Sequence, residues 1–128
     1  LRARPVDSVN APDVVAAAGI GGLVRSTGRS LAGLLHGPLS LGALLEEEGY
    51  ESVPSPSNPT PPGGDHYFSG GYNTERHGSL DGGAIVAVQA ETPWHGVRDT
   101  EASRDRFARA AASALGRFLE IHFVHQGE

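Results

Sequence analysis

Cysteine and methionine are both missing from this 128-residue chain, and tryptophan occurs once. Without cysteine there is no disulfide framework, no thiolate zinc site and no cysteine nucleophile. The compartment stays open on this count, because cytosolic chains and cysteine-free secreted chains look alike. No run approaches the roughly 18 apolar residues of a membrane-spanning helix, and no signal-peptide pattern is present. Basic residues are also in the minority, 10 Lys and Arg against 15 Asp and Glu, for a net charge of −5. That balance argues against nucleic acid and anionic membrane surfaces as main partners, since both require a clustered basic face. The chain opens on Leu1 with no methionine anywhere, which reads as a processed protein or a piece of a longer one.

What is present is small and permissive. Eighteen glycines and an alanine-rich, aromatic-poor composition predict a closely spaced core of small residues. Residues 1–128 are one domain's worth of chain, able to bury roughly two-thirds of their unfolded surface. Residues 1–13, with Pro5 and Pro12, read as an extended lead-in, and Val14 to Ala18 as helical or strand-like until Gly19, Gly21 and Gly22. A helix is expected over 30–35 with Leu31, Leu34 and Leu35 on one stripe. The next starts at Ser40 as N-cap, carries Leu41, Leu44 and Leu45, and ends at Gly49. The acid run Glu46, Glu47 and Glu48 at its end reads as a solvated face. Five prolines between residues 52 and 65 make a stiff strap, close to polyproline II, laid over the surface.

Residues 84–91 (AIVAVQAE) are apolar, small and β-branched, the composition of a strand buried on both faces. Alternation puts Ile85, Ala87, Gln89 and Glu91 on one face, and Pro93 ends the run. A long C-terminal helix follows, capped by Asp99 or Thr100 and running to about His122. Its expected buried stripe is Phe107, Ala110, Ala111, Ala114, Leu115, Phe118, Leu119 and His122. Strand followed by helix favours α/β layering, with further strands drawn from near Val14, Val53 or Tyr67, or from outside the chain.

The chemistry-bearing stretch is 67–78 (YFSGGYNTERHG) together with Glu91. Gly70 and Gly71 let backbone approach a ligand closely. Asn73 is placed to cap a short helix over 74–77, whose free amides can hold an anion, and Arg76 can fork onto a carboxylate. Glu91, leaving a buried strand, would lose solvation and move toward the pKa range of a general base. His77 is a candidate ligand or proton shuttle, Trp94-His95 a candidate pocket wall, and His122 with His125 a candidate weak metal clip. For each of these the structural reading is a capped turn, a packed ring or a solvated side chain.

These residues resemble the C-terminal part of N-formylglutamate amidohydrolase-like proteins. The likeness lies in the 67–78 segment, in the strand ending Gln89-Ala90-Glu91, and upstream in Gly37-Pro38-Leu39-Ser40-Leu41 and Ser55-Pro56-Ser57, covering residues 30–123. It implies a three-layer α/β/α sandwich with a mixed or parallel sheet, related to zinc carboxypeptidases, and hydrolysis of an amide by metal-activated water. Glu91 would be the general base. Gly70, Gly71, Tyr72 and Arg76 would hold a small amide or carboxylate substrate. The zinc expected in the complete protein has no identifiable ligands in this chain, so an N-terminal segment of the same protein would carry them. The alternative is a non-catalytic binding or structural module that keeps the substrate loop. A third reading rebuilds a metal site from His66, His77 and Glu91.

Overall fold

A computed structural model describes residues 8–64, 71–79 and 82–124 of the chain. Six helices carry the described architecture: α1 (Pro12–Ala16), α2 (Gly21–Thr27), α3 (Leu31–His36), α4 (Leu41–Glu47), α5 (Tyr72–His77) and α6 (Glu101–Phe123). The lead-in therefore gives way to a helix at Pro12, where a proline is tolerated because the first-turn amide has no intrahelical partner.

Local chemistry sets the helix starts. Ser30, Ser40 and Thr100 each accept a hydrogen bond from the backbone amide three residues on, at 3.1, 3.1 and 3.0 Å. Each cap satisfies one of the orphan donors of a first turn and is worth about 1 kcal/mol. Gly49, with φ +90°, follows the last turn of α4 and permits the reversal there. The core is one apolar cluster of Val14, Ile20, Leu23, Leu31, Leu34, Leu44, Ala114 and Phe118. Alanine at 110 and 114 lets α4 lie close against α6, and Tyr50 meets Phe107 edge-on at 5.1 Å. His122 is buried at the far end, its ring on Phe118 and its Nε2 2.9 Å from the Leu39 carbonyl oxygen. On the expected stripe of α6, Leu115 and Leu119 are instead about half exposed. The helix is buried on one side only.

The acid run at the end of α4 is partly solvated, with Glu47 exposed, and each of its side chains also has a partner. Glu46 accepts from Ser55 Oγ at 2.5 Å and Ser57 Oγ at 3.2 Å, Glu47 pairs with Arg117 at 2.6 Å, and Glu48 accepts from Ser113 Oγ at 2.5 Å. The strap thus lies on α4, pinned through the fully buried Ser55.

The expected α/β/α sandwich is not found: the described residues are helical and contain no strand and no sheet. Residues 84–91 are neither helix nor strand, and their periodicity carried no information about partners. Of the three segments expected to pair with them, the one near Val14 is helix α1. The one near Val53 is a proline-bent strap with few free amide donors, and the one near Tyr67 lies outside the described residues. Among the described residues, 84–91 is held by one backbone–backbone bond, Ala87 N–H to the Gly19 oxygen at 3.0 Å, by the Ser79 hydroxyl on the Ile85 oxygen, and by Val86 against the core. The expected burial on both faces is also not found, since Ile85 and Val88, from opposite faces of the alternation, are both exposed. Among the described residues no helix is long and apolar enough to cross a membrane.

Candidate functional site

The candidate site is built where α5 meets the extended segment. α5 begins two residues earlier than its sequence suggests, at Tyr72, with Gly71 in the N-cap position and no side-chain cap. Asn73, the expected cap, sits inside the first turn. Thr74 supplies the local lock instead, its Oγ1 donating to the Gly71 carbonyl oxygen at 2.8 Å. The helix ends at Gly78, whose amide donates to the Thr74 oxygen at 3.0 Å.

Gly71 lies directly against Gln89. A Cβ at position 71 would stand 2.7 Å from Gln89 Oε1, closer than real side chains approach. Gln89 Nε2 in turn donates to Glu91 Oε1 at 2.9 Å. Three positions from two separate motifs, 71, 89 and 91, thereby form one wall. Gln89 had no role in the sequence reading; here it is the link, orienting the Glu91 carboxylate while its own oxygen faces the glycine hinge.

The other expected residues are distributed around this wall. Tyr72 and Arg76 are exposed on α5, Tyr72 at 73 %, and no hydrogen bond links either to Glu91. Gly70 lies outside the described residues, as do His66 and His125. Glu91 is itself exposed, so the loss of solvation expected at the end of a buried strand does not occur. His77 is exposed. Trp94 and His95 form an irregular turn (Trp94–Arg98) leading into α6, where the Arg98 guanidinium lies 5.9 Å from the Trp94 ring centre. His122, with Nε2 on a backbone carbonyl inside the core, is not presented to a metal.

The segment is fastened by residues that the sequence reading passed over. Ser79 is fully buried and its Oγ donates to the Ile85 carbonyl oxygen at 2.5 Å. Arg25 on α2 donates to the carbonyl oxygens of Ser79 and Gly83. Beside this junction lies an open cleft of about 310 Å³ lined by Gly22, Arg25, Ser26, Gly83, Val86 and Phe123. A Cβ at Gly22 would come within 2.7 Å of Ser79 Oγ, so the glycines read as helix breakers serve here as close-packing points. The available signal was Arg25, the one charged residue of α2, nearly one turn beyond Gly22.

Two displaced titrations accompany the scaffold. The Asp99 carboxyl is held below the ordinary range, first by the Gly96 amide, which donates to Oδ2 at 2.9 Å, and then by the Ser103 hydroxyl. Burial lowers the pKa of His36. Among the described residues no three His, Asp or Glu side chains converge as a metal site would require. The described residues therefore do not fit the zinc that the family resemblance implies. Comparison with known protein families, characterised proteins and solved structures returns no match to this chain.

Proposed function

We propose that the chain is the substrate-holding portion of an amidohydrolase of the N-formylglutamate type, binding a small N-acyl amino acid or related amide at the wall of Gly71, Gln89 and Glu91. One observation carries the reading: residues from two motifs 18 positions apart come together through the Gln89–Glu91 bond and the Gly71 contact. Glycine at 71 is what lets Gln89 Oε1 come up against the start of α5 and close the wall. Arg76, exposed on the adjoining helix, offers a planar pair of donors to a substrate carboxylate. Glu91, with one oxygen fixed by Gln89 and the other open to solvent, is the group placed to accept a proton.

The test is hydrolysis and binding of N-formyl-L-glutamate by the full-length protein, with and without added Zn²⁺. Arg76→Ala is expected to weaken binding about tenfold or more, and Glu91→Gln to keep binding while losing turnover. Normal turnover by Glu91→Gln would overturn the assignment. A second reading, a carboxylate-binding module without catalysis, is favoured by the exposure of Glu91, which lies in no enclosed pocket with Tyr72 or Arg76. It predicts ligand retention without turnover, lost in Arg76→Ala.

A further inference from the structure

On α6 the residues Ala108, Ala112, Leu115, Leu119 and Phe123 recur at spacings of three and four. They lie on the side turned away from Ala110, Ala114 and Phe118, so the helix has a second apolar stripe opposite its core stripe. All five are exposed, Leu115, Leu119 and Phe123 at 47, 51 and 44 %, with Phe123 also bordering the cleft beside Arg25. The stripe is graded: small side chains fill its N-terminal half and large ones its C-terminal half. A second copy laid antiparallel converts that gradient into a fit. Ala108 then faces the partner's Phe123, Ala112 faces the partner's Leu119, and Leu115 faces the partner's Gly116, each pair occurring twice about one two-fold axis. A parallel pair would stack Phe123 on Phe123 and leave a gap between the alanines.

Charge supports the same register. Arg109 and Glu120 are exposed and border the stripe on the same side of α6. An antiparallel two-fold brings like borders together, so Arg109 of each copy comes opposite Glu120 of the other. We infer that the exposed stripe of α6 is a self-association surface, forming an antiparallel helix pair between two copies of this chain. A single helix face is a small interface beside the roughly 1,200–2,000 Å² of a stable one, so the pair is expected to be a concentration-dependent dimer.

Sedimentation velocity of the full chain over roughly 10 µM to 1 mM tests this. The expected result is a concentration-dependent monomer–dimer equilibrium that Leu119→Glu weakens at least tenfold while circular dichroism shows the helices retained. Arg109→Glu alone should weaken dimerisation a few-fold, and the combination Arg109→Glu with Glu120→Arg should restore it. Because the chain has no cysteine, single cysteines report the register. Leu115→Cys, next to the two-fold, should cross-link oxidatively, whereas Phe123→Cys, far from its own mate, should not. A monomer throughout the range, association indifferent to Leu119→Glu, or cross-linking of Phe123→Cys in preference to Leu115→Cys would overturn the proposal.

Discussion

His36 and Asp99 show how single side chains couple this fold to pH. His36 lies in the last turn of α3, where a helix dipole favours the protonated ring, yet burial wins and its pKa falls below the ordinary value of 6.5. The unfolded chain then takes up the proton first, so the contribution of neutral His36 is complete above about pH 6.5 and is lost as pH falls through the native value. Asp99 acts in the same direction at lower pH: its carboxylate, held by the Gly96 amide, stabilises above the ordinary 3.8 and is lost as pH falls through its depressed native value. Thermal melts should therefore show one loss of stability as pH falls below about 6.5 and another as it falls below about 4. His36→Gln is expected to flatten the first and Asp99→Asn part of the second; an unchanged pH profile in both variants would contradict these assignments.

At the level of elements, the strap over residues 52–64 behaves as part of α4. Ser55 is fully buried between Glu46 Oε1 and the Asn58 amide, which donates to its Oγ at 2.9 Å. Gly42 on α4 has no room for a Cβ, because the Pro54 carbonyl oxygen occupies that space. Gly42→Ala must therefore push the strap off the helix, at a cost of about 1–3 kcal/mol in denaturant melts. Glu46→Ala should leave α4 helical but open the strap to limited proteolysis, since Ser55 and Ser57 lose their acceptor together. Helices α3, α4 and α6 were legible in the sequence because capping and periodicity act within one turn: Ser40 and Thr100 cap as expected, Ser30 caps a helix expected to include it, and Leu31, Leu34, Leu44, Ala114 and Phe118 point inward. The anchoring of Glu46, Glu47 and Glu48 was not legible, because their partners lie 9 to 70 positions away. Sheet formation failed as an expectation for the same reason. A run such as AIVAVQAE specifies an extended backbone, whereas pairing depends on which other segments stay extended.

Across the whole molecule, the candidate site hangs on a helical body by a narrow junction. Of its three residues, Gly71 and Glu91 were named from motif and strand position, but their meeting through Gln89 needed the three-dimensional path of the chain. That path depends on Ser79 and Arg25, which hold the carbonyl oxygens of residues 79, 83 and 85, and on the Ala87–Gly19 bond. Hydrogen exchange resolves the consequence. Amides within α4 and α6, closed by intrahelical bonds under an apolar core, should be the slowest. In 84–91 only Ala87, donating to Gly19, should be protected. Ser79→Ala removes the donor to the buried Ile85 oxygen and should cost about 1–3 kcal/mol locally. It should abolish protection at Ala87, yet leave α4 and α6 unchanged. Because Gln89 and Glu91 lie downstream of that junction, the same substitution should weaken N-formyl-L-glutamate binding without touching a residue of the wall. Uniform slow exchange along 84–91, in the alternating pattern of a paired strand, would show that this segment enters a sheet and that the junction is not what positions the site.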